Sequence, residues 1–248
     1  MPAGARVAEL DCELVVVAKH PEVGRVKTRL AAGIGDRAAF DLYVAFIDDI
    51  ARRFAPVESG AHAFAIAFTP PEAPFDARGV RAFAQEGPTL NARLLAIFRR
   101  QPERARRTLV MSSDSPHVDP DWIARGFAAL DRVDVVLGPC DDGGYWCVAM
   151  REPHDIFTGV AMSTPHVLAQ TLERARALGL TYELLPTTFD VDEVVDLVRL
   201  RDAIAIDPIG LPATARALAA LDRRRSGAPP NVARAMAHDD RALELHDR

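Results

Sequence analysis

Short apolar runs alternate along this chain with longer stretches in which apolar residues recur every three or four positions. Residues 13–18, 63–68, 108–112, 133–138, 145–149 and 182–186 read as strands; 37–54, 90–100, 121–130, 165–178 and 194–207 read as helices. In the first helix Phe40, Val44, Ile47, Ile50 and Phe54 mark one buried face. Asp36 is placed to cap it. Asp119-Pro120 and Thr164-Pro165 put a capping residue before a proline, and Gly179 is placed to close the helix that Thr164 opens. Such alternation predicts an α/β fold, a mostly parallel Rossmann-like sheet flanked by helices, in which ligands gather at the carboxyl ends of the strands.

The first strand runs directly into a basic turn. After Leu14-Val15-Val16-Val17-Ala18 come Lys19, Arg25, Lys27 and Arg29, with Gly24 free to turn the backbone and Glu22 as the one acid. Ammonium and guanidinium groups gathered at a strand's end suit phosphate oxygens; as an alternative, the turn is an ordinary solvated loop. Two familiar phosphate motifs do not fit. Gly24-Arg25-Val26-Lys27-Thr28 lacks the spacing of a P-loop, and Gly33-Ile34-Gly35-Asp36-Arg37-Ala38 does not directly follow a strand.

The whole-chain balance confines that basic character to one place. The formal net charge is -5 over 248 residues, which speaks against nucleic acid or a membrane surface as partner and for a small anion. Apolar residues make up 49%, enough for one large core, and residues 1–222 read as a single domain. Residues 223–230 read as a linker, and the polar stretch to 248 as a tail or loose helix. No apolar run approaches the roughly 20 residues of a membrane span, and residues 1–10 lack a signal-peptide core. Cys12, Cys140 and Cys147 make an odd count with no C-x-x-C pair, which points to a reducing, cytoplasmic setting. His20, His117, His154 and His166 have no metal-ligand spacing and read as surface or packing residues.

Three further segments carry candidate chemistry. Ser112-Ser113-Asp114-Ser115-Pro116 ends a strand, so Asp114 is directed at the ligand crevice unless it only forms a turn. In Asp190-Val191-Asp192-Glu193 the two aspartates share a side if the backbone is extended, and Asp192 is also placed to cap the next helix. Carboxylates from two loops facing a basic turn suit a hard divalent ion and phosphoryl chemistry. Gly138-Pro139-Cys140-Asp141-Asp142-Gly143-Gly144-Tyr145-Trp146 reads either as a tight hairpin or as a loop whose glycines admit a ligand and whose aromatic pair packs on it. Cys140 reads as a buried thiol rather than a nucleophile, since no base can be assigned to it.

In this order the motifs Ala-Lys-x-Pro-x-x-Gly-x-Val-Lys-Thr-Arg-Leu, Ser-Asp-Ser-Pro, Gly-Pro-x-x-Asp-Gly-Gly-Tyr and Asp-Val-Asp resemble a family. It is the glycosyltransferase-A-like family found beside radical-SAM and selenodomain proteins, a relative of phospholactate guanylyltransferase and of nucleotide-diphospho-sugar transferases. The resemblance spans roughly residues 14–200. It implies a nucleotide-diphospho-sugar transferase architecture with a nucleotide across the strand ends and Mg²⁺ or Mn²⁺ as cofactor. It further implies nucleotide contacts from Lys19, Gly24, Arg25, Lys27, Arg29, Gln85, Arg93 and Ser113, metal binding by Asp114, Asp190 and Asp192, and an acceptor loop at Asp142, Gly143, Gly144 and Tyr145. Lys27 and Asp114 would be central to catalysis. The chain departs from the pattern at Asn91, where glycine is usual, and at Met162-Ser163-Thr164.

The expectation is a metal-dependent transferase moving a nucleotidyl group from a nucleoside triphosphate to a small phosphorylated or phosphonate acceptor. Glycosyl transfer from an NDP-sugar is the alternative, and a non-catalytic nucleotide-binding partner protein the alternative of another class. The partners expected are a nucleotide and a small-molecule acceptor; a homodimer is compatible with the sequence.

Overall fold

The structure is a computed structural model that describes residues 10–55, 62–100 and 105–226. Seven strands form one sheet: β1 (Leu10–Lys19), β2 (Ala63–Thr69), β3 (Arg81–Ala84), β4 (Ala105–Ser112), β5 (Val135–Pro139), β6 (Tyr145–Met150) and β7 (Tyr182–Leu184). Their order is β3-β2-β1-β4-β6-β5-β7. Every pairing is parallel except the two made by β6, which lies antiparallel between β4 and β5. The helices are α1 (Thr28–Ile34), α2 (Asp36–Phe54), α3 (Leu90–Arg99), α4 (Pro120–Ala129), α5 (Val167–Ala177), α6 (Asp196–Ile206) and α7 (Pro212–Ser226).

Both sheet faces are covered, which is why β1 and β4 are apolar along their central residues. Side chains alternate across a strand. Leu14 and Val16 therefore join Leu42, Phe46, Ile50, Leu109, Met111 and Leu218 in one core layer. Val15 instead joins Leu94, Phe98, Val110, Leu137 and Phe157 in the other. Asp119 caps α4 by accepting a bond from the Asp121 N–H. At the end of α5, Gly179 sits at φ 71 while Leu180 and Gly179 donate back to Ala175 and Arg176, the Schellman ending expected there.

Several boundaries differ from expectation. Gly35, not Asp36, is the N-cap of α2, and Asp36 lies inside the first turn. The helix expected to open at Pro165 begins at Val167, and the one expected at Val194 begins at Asp196. Asp192 therefore caps nothing; instead the Asp196 carboxylate turns back to accept from the Asp192 and Glu193 N–H groups. Residues 223–226 continue α7 rather than opening a linker, because Leu218 and Leu221 dock the helix and Arg201 grips Asp222 with both nitrogens. Residues 227–248, read as linker and tail, lie outside the described residues. Among the described residues no helix is long and apolar enough to cross a membrane.

Candidate active site

At the carboxyl edge of the sheet, β1 leads through the basic turn into α1. Gly24 stands at φ 77, Val26 is buried, and Lys27 is held at φ 49 as the N-cap of α1. That left-handed backbone, unusual for lysine, belongs to a residue whose side chain is almost wholly buried. Its Nζ lies 2.5 Å from Asp114 Oδ1 and 3.1 Å from Asp192 Oδ1. Arg29, largely exposed, also bonds Asp192 and stands 3.9 Å from Glu193.

The two acidic segments are joined by backbone as well. The Val191 N–H donates to the Asp114 carbonyl at 2.9 Å, and the Ser115 hydroxyl donates to Asp190 Oδ1 at 2.5 Å. Burial pushes the Asp190 carboxyl up to about 7, and the neighbouring Asp114 charge adds to it against the pull of Ser115 and Lys27. Burial alone would lower the Lys27 ammonium, but Asp114 and Asp192 outweigh it and the net shift is upward. The site thus sets Lys27 and Arg29 against Asp114, Asp190, Asp192 and Glu193, with Asp190 poised to gain or lose its proton near neutrality.

The remaining sequence-predicted residues divide into those at this edge and those turned elsewhere. Ser113 is buried beside Tyr43, whose hydroxyl also meets the backbone of Lys19; the Lys19 side chain is exposed. Gln85 is buried and its amide nitrogen donates to the Ala18 and Ala67 carbonyls, pinning the ends of β1 and β2. Arg93 donates to the Thr69 hydroxyl at 3.0 Å, at the end of β2. Arg25 is exposed and pairs with Glu22 at 3.3 Å, apart from the Lys27 cluster.

The glycine-rich segment is a hairpin loop between β5 and β6. Gly143 is at φ 85, and a Cβ there would fall 2.0 Å from the Pro165 carbonyl oxygen. The close approach its lack of a side chain permits is therefore to the protein's own backbone. Asp142 accepts from the Gly144 N–H, and the bridge between Cys140 and Thr188 sets the loop beside the segment that carries Asp190. Tyr145 and Trp146 do not form a ligand platform. They point to opposite sheet faces, Tyr145 packing in the layer with Phe157 and Trp146 lying 6.0 Å from Trp122 in the other. The Cys140 thiol is pushed far up by burial and by Asp190, which suits a packed thiol and not a nucleophile.

Asn91 donates to the carbonyls of Phe157 and Val160, tying α3 to the loop before α5. Sequence reasoning overlooked two residues. Ser115 lay inside a named motif with no role given; Tyr43 lay on the apolar face of the first helix, where its polar tip was the available signal.

The donor chemistry bears on a divalent ion. Asp114 and Asp190 offer carboxylate oxygen, the ligand type Mg²⁺ and Mn²⁺ favour, and these ions commonly complete their shells with phosphate and water. Asp114 and Asp192 are both engaged by Lys27, and Asp192 by Arg29 as well, and among the described residues no group of three His, Cys, Asp or Glu side chains stands ready to hold a metal. The residues fit an ion that arrives with phosphate.

Residues 52–164 match the family model described as an uncharacterized protein conserved in bacteria (DUF2064). No curated protein sequence matches the chain. Among solved structures, a protein from Desulfovibrio desulfuricans G20, provisionally described as a nucleotide-diphospho-sugar transferase, is 27% identical. It covers 86% of this chain and 97% of its own, with a TM-score of 0.76. CMP:2-keto-3-deoxy-manno-octonic acid synthetase complexed with CTP is 14% identical over 79% of this chain and 99% of its own, at 0.47. Rv0371c from Mycobacterium tuberculosis H37Rv, in complex with manganese, is 17% identical over 77% and 98%, at 0.44. The last two superpose too loosely to bear on individual residues; the first shares the architecture, a nucleotide-diphospho-sugar transferase fold.

Proposed function

We propose that this chain is a nucleotide-using transferase that moves a nucleotidyl group from a nucleoside triphosphate to a small phosphorylated or phosphonate acceptor. One observation carries the reading. Lys27 from the turn after β1, Arg29 from the first turn of α1 and carboxylates from the segments after β4 and β7 meet at the carboxyl edge, with Lys27 touching both Asp114 and Asp192.

In this reading Lys27 and Arg29 leave the aspartates to hold the triphosphate, offsetting its charge. Asp190, with Asp114 and Asp192 once Lys27 and Arg29 depart, would hold Mg²⁺ or Mn²⁺. When bound, such an ion neutralises phosphate charge and aligns the reacting oxygens. An acceptor oxygen attacks the α-phosphorus, the bond to the β-phosphate oxygen breaks, and pyrophosphate leaves with the bonding pair. The chain supplies no nucleophile, since positioning and charge neutralisation suffice for this chemistry. The loop at Asp142, Gly143 and Gly144, beside Thr188, is the acceptor side.

The Desulfovibrio structure favours a second reading, glycosyl transfer from an NDP-sugar at the same edge. Nucleoside triphosphates and NDP-sugars, each with Mn²⁺, separate the two. A rise in melting temperature with triphosphates and release of pyrophosphate supports nucleotidyl transfer. Stabilisation by NDP-sugars with NDP release selects the second reading. Binding with no release over a broad acceptor panel would make the protein a sensor, and no stabilisation by either set would sink both readings.

A further inference from the structure

We infer that the Tyr43 hydroxyl is a positioning group that sets the distance between the basic loop and the Asp114 loop. Strands β1 and β4 are paired side by side up to Val17 and Ser112, and the Ser113 N–H still donates to the Val17 carbonyl at 3.2 Å. Beyond that bond the two chains diverge. His20 turns to the Thr69 carbonyl on one side, and the Asp114 carbonyl takes the Val191 N–H on the other.

Tyr43 spans the gap. It comes from α2, only 3% exposed, with its ring in the core layer beside Leu42 and Phe46. Its oxygen is 2.8 Å from the Lys19 nitrogen, 3.2 Å from the Lys19 carbonyl oxygen and 3.2 Å from Ser113 Oγ. A phenol has one hydrogen to give and lone pairs to receive. One arrangement satisfies all three contacts: Lys19 N–H and Ser113 O–H donate to Tyr43, and Tyr43 donates to the Lys19 carbonyl. A single rigid side chain thereby ties the last residue of β1 to the residue before Asp114.

This inference rests on the transferase reading for its purpose. The other direct tie between the loops, Lys27 to Asp114, must open when Lys27 turns to phosphate. Tyr43 then keeps the cationic and acidic walls at a fixed spacing while their own bond is broken. A ring with two torsions, locked by packing, suits that task better than a flexible surface pair.

Tyr43→Phe in the full chain removes one oxygen and keeps the ring. In free protein, peptides covering residues 19–29 and 112–116 should exchange amide hydrogen about tenfold faster, while those of β2 and α3 keep wild-type rates. Inorganic triphosphate with Mn²⁺ should bind about tenfold more weakly by calorimetry. Ser113→Ala, which deletes one of the three partners, should loosen the same two segments and gives the reading if Tyr43→Phe does not fold. Unchanged exchange in both segments overturns the inference, whatever happens to phosphate binding. Faster exchange with undiminished triphosphate affinity overturns it as well. Wild-type protein that binds no triphosphate defeats the proposed nucleotidyl transfer, and the exchange comparison still decides whether Tyr43 ties the loops.

Discussion

The Lys27 ammonium and the Asp114 carboxylate, from loops that follow different strands, meet at 2.5 Å with the lysine side chain only 3% exposed. A buried cation among acids offsets part of the resting site's negative charge, and every ligand must exchange with that arrangement.

Asp114→Asn keeps the shape and removes a charge. Turnover should fall by roughly a hundredfold or more, on the scale of losing one preorganised electrostatic contact, while the far-ultraviolet circular dichroism stays that of the wild type. Pyrophosphate release is the measurement, and near-normal turnover would remove Asp114 from the mechanism.

Lys27→Met should act in opposite directions on two ligands. Without the ammonium, Asp114, Asp190 and Asp192 repel one another, so stability should drop by about 2 kcal/mol, discounted because Asp114 and Asp192 are partly exposed. Added Mn²⁺ should raise the melting temperature more than in wild type, and triphosphate affinity should fall. A smaller Mn²⁺ response than wild type would contradict the exchange.

Asp190 and His117 make opposing contributions to stability over the same acid range. Asp190 is raised to about 7, so its contribution is complete below its ordinary value near 3.8 and is lost as pH climbs toward 7. His117, stacked on Phe189, is lowered to about 4 by burial, then by Arg199 and Arg53. Its contribution is complete above 6.5 and is lost as pH falls toward 4. Urea unfolding from pH 7 to 4 should show Asp190→Asn weakening more steeply than wild type and His117→Phe less steeply. Three parallel curves would refute both assignments. Mn²⁺ affinity should also fall about tenfold per unit below pH 7, because a protonated Asp190 is a poor ligand.

Gly143→Ala should destabilise by about 3 kcal/mol, since it meets the Pro165 carbonyl as well as an unfavourable φ. Gly159→Ala shares the positive φ but has open space around it, so about 1 kcal/mol is expected. Equal melting temperatures for the two variants would show that the Pro165 contact does not matter.

Much of this was legible in the sequence where one local signal dominated. Leu14-Val15-Val16-Val17 read as a short buried strand, and Asp119-Pro120 and Gly179 announced their helix ends. The sequence could not reveal what depends on distant partners. Strand β3, Arg-Ala-Phe-Ala, is too short to show a period and is fixed by pairing with β2. Helix α7 owes its start to Asp49 of α2, which takes the N–H groups of Ala213 and Thr214. Residue types singled out Lys27, Asp114, Asp190 and Asp192 as candidates that the family resemblance joined into one site, and the fold does bring their side chains or loops together. Arg25 and Tyr145 carried the right chemistry, but the backbone aims Arg25 toward Glu22 and Tyr145 into the core. Ser115 and Tyr43 act through oxygen atoms whose partners are remote in sequence, and no spacing betrays them.

The left-handed backbone at Lys27 is a local strain that its buried contacts with Asp114 and Asp192 outweigh. Glycine or asparagine would relax that turn at little conformational expense, yet neither could supply an ammonium to the site. Laboratory selection for heat resistance alone should therefore keep Lys27 while Asp114 and Asp192 remain acidic, and should reach Lys27→Gly or Lys27→Asn only in variants that have already lost those carboxylates.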